Sequence, residues 1–232
     1  MKKKNQYEGW ELQSFDRATN FRTYQIEKIK KFIRNKKILD VGSGNGGLIK
    51  YYQKETKNIS IFEPSKNLNL IIKKKFNKNK IMIFDKKKQI TQKYDVILYM
   101  DVIEHIKNYE NEIHTILKKI NKNGFIIINV PAFNFLYTDF DKSVGHFKRF
   151  SKKDFYYLSE KFELEIKKLE YYDSIGFFLI FLSKFIFSFY LKNKNVSKNV
   201  RIWNYLIPLS KLIDKILFNR VGKSLICILE KK

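Results

Sequence analysis

Residues Ile38-Leu39-Asp40-Val41 run directly into Gly42-Ser43-Gly44-Asn45-Gly46-Gly47, and a helical pattern resumes from Leu48 to Gln53. An apolar run, a glycine cluster and a helix in that order make a strand-turn-helix unit, in which glycine lets a ligand approach the bare backbone. The unit recurs along the chain. Residues 59–62, 81–84, 94–99 and 124–130 read as further strands, with helices over 65–75 and 109–120 and an entry helix over 21–35. Runs such as Phe125-Ile126-Ile127-Ile128 suit strands covered on both faces. The alternation therefore predicts an α/β fold: a mostly parallel sheet between two helical layers, a Rossmann-like three-layer sandwich.

Beyond Pro131 the pattern becomes a polar and aromatic loop to Phe150, a helix over 152–160, a strand around 165–171 and a last strand over 222–229. Residues 174–220 differ in character. They open with Ile175-Gly176-Phe177-Phe178-Leu179-Ile180-Phe181-Leu182, and Phe177, Phe181, Phe185 and Phe189 form one helical stripe. A second helix is expected to start at Pro208, with Leu209, Leu212, Ile213, Ile216 and Leu217 on one face and Lys211, Asp214 and Lys215 on the other. The apolar run falls short of the roughly 20 residues that cross a bilayer. Two readings of 174–220 stay open. One is an interfacial element resting on anionic membrane through its flanking Lys192, Lys194, Lys198 and Arg201; the other is a helical cap over the domain or over a homodimer partner. The chain reads as one domain over 1–232, with a helical N-terminal segment over 1–35 and a helical insertion over 174–220.

The net charge of +24 invites a nucleic-acid reading, but only six of the 47 basic residues are arginine and the lysines are dispersed. Arginine makes the bidentate contacts of specific phosphate and base recognition, so no specific nucleic-acid partner is expected. The lone Cys227 excludes an intramolecular disulfide framework. Met1-Lys2-Lys3-Lys4-Asn5 leads into no apolar stretch of signal-peptide length, which points to a cytoplasmic protein, peripheral at the inner membrane face if the insertion meets lipid. There is no H-E-x-x-H arrangement, no G-x-S-x-G elbow and no P-loop lysine and hydroxyl after the glycines. Linear spacing predicts no metal.

The glycine turn satisfies two fingerprints. Gly42, Gly44 and Gly47 match the pattern of dinucleotide binders, whereas Asp40, Gly42, Gly44 and Gly46 match the D-x-G-x-G-x-G turn of enzymes that bind S-adenosylmethionine. Glu63, about twenty residues on at a strand end, suits the ribose hydroxyls of either ligand, and Asp85 ends the third strand near where adenine would lie.

The block from Tyr94 to Ile106, with Met100-Asp101-Val102-Ile103-Glu104-His105-Ile106, resembles the fourth-strand motif of class I S-adenosylmethionine-dependent methyltransferases. Together with Leu39 to Gly46 and Glu63-Pro64-Ser65, the resemblance spans residues 36–131. It implies a seven-stranded sheet with its last strand antiparallel and S-adenosylmethionine as cofactor. Position by position, it implies Asp40, Gly42, Gly44 and Gly46 at the methionine end and sugar, Glu63 on the ribose, Asp85 near adenine, and Met100 and Asp101 lining the cofactor. Residues 129–133 and 139–151 resemble a subgroup associated with bacterial surface-polysaccharide, lipid and small-metabolite pathways. His146, Arg149 and His105 are the candidate acceptor-site groups, since a neutral imidazole can take a proton from an attacking hydroxyl or amine. The expected function is methyl transfer to an oxygen or nitrogen of a small-molecule, sugar or lipid-linked acceptor. The rivals are an NAD-dependent oxidoreductase or epimerase, resting on the shared glycines, and an RNA methyltransferase, resting on charge.

Overall fold

The computed structural model describes residues 9–56, 58–76, 81–185 and 196–232. Met1 to Asn5, Phe189, Lys192 and Lys194 lie outside them, as does the side chain of Phe185. Two N-terminal helices, α1 (Leu12–Asp16) and α2 (Thr19–Ile33), precede β1 (Ile38–Val41). The first crossovers run through α3 (Ile49–Tyr52), β2 (Ile59–Phe62), α4 (Lys66–Lys75), β3 (Met82–Phe84) and β4 (Tyr94–Met100). Then come α5 (Tyr109–Ile116), β5 (Ile120–Pro131), α6 (Asp139–Val144), α7 (Lys152–Lys161) and β6 (Leu164–Tyr172). The chain closes with α8 (Ser174–Phe185), α9 (Val196–Ile216) and β7 (Ser224–Lys231).

The seven strands form one sheet in the order β3-β2-β1-β4-β5-β7-β6. β1 to β5 pair in parallel, and β7 runs antiparallel between β5 and β6. Every residue of β1 and β2 is buried, because helices cover the sheet on both sides. The two apolar layers are distinct: one takes Ile38, Leu98, Ile127 and Ile228 with α2 and α9, the other Leu39, Ile97, Ile126 and Leu229 with α5 and α7. Alternate residues of a strand thus feed opposite layers.

Three expectations need correction. The stretch after Pro131 is not all loop, because Thr138 and Asp141 form a capping box that starts α6, and Gly145 ends it in the left-handed region. The second helix of the insertion does not start at Pro208 but runs through it. Proline has no N–H for the carbonyl four residues back, and the Asn20 side chain donates to that carbonyl, Asn204 O, at 3.1 Å. The third correction concerns which face of α9 is inside. Asp214, expected on the polar face with Lys211 and Lys215, is fully buried with Ser210, while Leu209, Leu212 and Ile216 are exposed.

A polar network draws Asp214 inward. Its carboxylate accepts from the Tyr24 hydroxyl at 2.9 Å and from the backbone N–H groups of Asp173 and Ser174 at 2.7 and 2.8 Å. Asp173 in turn accepts from Trp203 Nε1, the Ser210 hydroxyl and Gly176 N–H. Of the phenylalanine stripe, Phe177 and Phe181 stack with centroids 6.1 Å apart. Asp214→Ala leaves three buried donors without an acceptor, so a loss of about 3 kcal/mol is expected in urea unfolding; a change below about 1 kcal/mol would remove Asp214 from this role.

Candidate active site

At the carboxyl ends of β1, β2 and β4 lies a cavity of about 670 Å³. It opens where connections from β1 and β4 leave in opposite directions, the usual ligand crevice of an open α/β sheet. The glycine turn forms one wall. Gly42 has φ +69°, and a Cβ there would stand 2.8 Å from Val102, so only glycine brings this backbone to the cavity unobstructed. Behind the turn, Asp40 accepts from the hydroxyls of Ser43 at 3.0 Å and Tyr52 at 2.7 Å. Burial pushes its carboxyl up to about 6, with the two hydroxyls opposing.

Glu63, at the end of β2, accepts from Gly44 N–H at 2.8 Å on one oxygen and from Ser65 N–H at 2.9 Å on the other. Burial pushes it up to about 7 although both N–H groups favour the carboxylate. A carboxylate offers about four acceptor sites, so capacity for two ligand hydroxyls remains. Met100 lines the cavity from the end of β4. Asp101 beside it, at φ +61°, accepts from Asn129 at 2.6 Å and from Gln25 and Arg22 of α2 at 3.3 and 3.4 Å. Asp85 stands apart: it is not in the cavity wall, where Lys87 and its ion-pair partner Glu112 stand instead. Gly46 also lies outside the wall.

Several wall residues went unmarked in the sequence. α1 contributes Leu12, Phe15 and Asp16, and the Asp16 carboxylate accepts from Asn45 of the glycine turn at 2.6 Å. A Cβ at Gly47 would displace the Asp16 carboxylate from this position. Five helical residues show too little periodicity to announce such a role. Lys223, before β7, lies 3.4 Å above the Trp203 ring, and burial pushes its ammonium pKa down.

At the acceptor end, folding brings His105 and His146 together with ring centroids 4.6 Å apart. Asp141 of α6 organises this end. It accepts two parallel bonds from Arg149, both at 2.9 Å, and lies 2.8 Å from His146 Nδ1. Burial pushes the Asp141 carboxyl up, but the bonds from His146 and Arg149 outweigh it and hold it well below the usual range. An ionised carboxylate only accepts, so Nδ1 carries a proton in this contact, and in the neutral ring that leaves the lone pair on Nε2. Nε2 points toward Glu104, 3.9 Å away. Both Glu104 oxygens are buried without a hydrogen-bond partner, and burial, with Asp101 second, drives its pKa far up. Burial, then His146, pushes His105 down to about 4, so its ring is neutral. Ligand atoms of Glu104, His105 and His146 lie within 4.8 Å of one another, a donor set able to hold a cation that linear spacing did not disclose.

Residues 15–169 match the model of a family described as a methyltransferase domain, and the chain belongs to that family. The ubiquinone biosynthesis O-methyltransferase of Hydrogenovibrio crunogenus is 28% identical over 120 residues, 48% of this chain and 50% of that protein. Its counterpart in Pelagibacter ubique is 30% identical over 115 residues, 45% of this chain and 46% of that one. The chain thus spans about half the length of the curated relatives it matches. A solved S-adenosylmethionine-dependent methyltransferase from Archaeoglobus fulgidus shares the fold, with TM-score 0.60, 13% identity and coverage of 90% of this chain and 92% of that one. Other solved neighbours were crystallised with S-adenosylmethionine or S-adenosylhomocysteine. The chain thus carries a methyltransferase domain, the assignment under which the glycine turn would take S-adenosylmethionine rather than NAD.

The role the resemblance implies for Glu63 has a signed pH dependence. If Glu63 holds the ribose, only its carboxylate can accept both hydroxyls, so binding of S-adenosylhomocysteine should release a proton and weaken as pH falls below about 7. Calorimetry should show the dissociation constant rising by up to about tenfold per pH unit on the acid side, with Glu63→Gln flattening the profile. A wild-type profile flat from pH 5.5 to 8 would take Glu63 out of the ribose site.

Proposed function

We propose that this methyltransferase O-methylates a small hydroxylated acceptor, with Asp40, the glycine turn, Glu63, Met100 and Asp101 holding the donor. The observation that carries the reading is His146 in the cavity wall, with Nδ1 held 2.8 Å from the Asp141 carboxylate and Nε2 turned toward Glu104. Residues on opposite walls divide the work. S-adenosylmethionine supplies a methyl group on a positively charged sulfur, activated before it reaches the protein. Asp40 and Glu63 put acidic groups near that cation. His146 takes the hydroxyl proton as the acceptor oxygen attacks, and Asp141 stabilises the imidazolium that forms. The protonated Glu104 carboxyl donates a hydrogen bond to the acceptor, which removes the cost of leaving both its oxygens unpartnered. Arg149 acts through Asp141, as a positioning residue.

The names of the curated relatives favour an oxygen acceptor. Hydroxylated aromatic compounds, sugars and lipid-linked hydroxyl compounds are the acceptors to screen, by release of S-adenosylhomocysteine. With a responding acceptor, His146→Ala should lower kcat by about 10²-fold to 10⁴-fold while S-adenosylhomocysteine affinity changes little. Asp141→Asn should lower kcat in the same direction, because it loosens the tautomer. Unchanged turnover in His146→Ala would return that histidine to a purely structural role.

A further inference from the structure

α9 carries apolar residues on its outer face as well as its inner one. Its inner face, Val200, Trp203, Ile207, Ser210 and Asp214, is buried against α2 and the end of β6 and is anchored by the Asp173 and Asp214 hydrogen bonds. Its outer face carries Ile202, Tyr205, Leu209, Leu212 and Ile216, all exposed, with Tyr205 82% and Ile216 73% accessible. These five recur at steps of three and four residues and therefore make one stripe along the 21-residue helix. Phe218, 78% exposed, extends it past the helix end. α8, packed against α9, adds exposed Phe178, Leu179 and Leu182. So much apolar surface facing outward marks an interaction site.

Charge identifies the occupant. Across α8 and α9 the only acidic residue is Asp214, and it is buried. Arg201 and Lys215 are exposed immediately before Ile202 and Ile216, and Arg220 is exposed beyond the helix. A second copy of this chain would bring the same cations against them and add its own net charge of +24. An anionic bilayer offers an apolar interior and a negative surface at once. No helix among the described residues is long and apolar enough to cross a membrane, so the contact would be along the surface.

We propose that the outer face of α9, with the exposed side of α8, docks on an anionic lipid surface. Val200, Trp203 and Ile207 together with the Asp173 and Asp214 hydrogen bonds hold α9 to the protein, which leaves its outer apolar stripe for the acyl boundary while Arg201 and Lys215 meet headgroups. α8 joins this surface to the active site: Ile180 lines the cavity, and Lys184 donates to the carbonyls of Phe135 and Tyr137.

The test is flotation of the full chain with phosphatidylcholine vesicles, with and without about one-third phosphatidylglycerol, at about 0.05 M and about 0.5 M salt. Wild type should float with the anionic vesicles at low salt and bind neutral ones at least about tenfold more weakly. Leu212→Asp with Ile216→Asp should abolish flotation, and Arg201→Glu with Lys215→Glu should erase the preference for anionic lipid. Unchanged S-adenosylhomocysteine affinity and thermal unfolding would certify that both variants are folded. Wild type that stays unbound with anionic vesicles at low salt overturns the proposal, as does binding that survives the aspartate pair in folded protein. Sedimentation equilibrium showing a wild-type dimer that the aspartate pair splits would assign the face to a second copy and equally overturn it.

Discussion

Asp141 is the fixed point of the acceptor side. An ionised carboxylate with no exposure is costly unless its lone pairs are used, and here Arg149, His146 and the Thr138 backbone and hydroxyl use them. The same contacts cap α6, hold Arg149 against the end of β5 and set the His146 tautomer. Loss of that one carboxylate would leave a buried guanidinium unpaired and a histidine free to change its protonated nitrogen. On the donor side, Glu63 plays a comparable part with backbone donors: Gly44 and Ser65 N–H groups hold it, so its position follows from the glycine turn itself.

The fold was legible because its local and long-range signals agree. Parallel strands buried on both faces read as unbroken apolar runs, and five such runs separated by helical segments leave few topologies. The count of seven strands and the antiparallel β7 came from the family resemblance, and the strand order from the structure. Side-chain placement that depends on partners far along the chain was not legible. Asp214 was read on a polar face with Lys211 and Lys215, whereas Tyr24, Asp173 and Ser174 offer it three hydrogen-bond donors that only the tertiary structure assembles. The run of α9 through Pro208 depends likewise on Asn20, 188 positions away in the chain, which supplies the donor that proline lacks.

The candidate site shows the same division. The glycine turn, Glu63 and the end of β4 follow one another in sequence at motif spacing and meet in one cavity. Glu104, His105 and His146 meet as well, but from two segments about forty residues apart, which is why linear metal or triad spacing missed them. Asp85 was placed by analogy with a strand end, and β3 is short and half exposed there, so it leaves Asp85 outside the wall. α1 fell within the expected helical segment over 1–35, but its part in the site went unnoticed because its five residues carry no period, although Asp16 closes the glycine turn.

On the proposed function, donor and acceptor face each other between the Glu63 wall and the His146 that Asp141 orients. A crystal structure of the complex with S-adenosylhomocysteine measures this directly. The account predicts both ribose hydroxyls on the Glu63 carboxylate and the sulfur directed at the space bounded by Glu104, His105 and His146. A ligand whose ribose leaves Glu63 untouched, or whose sulfur points away from His146, would contradict it.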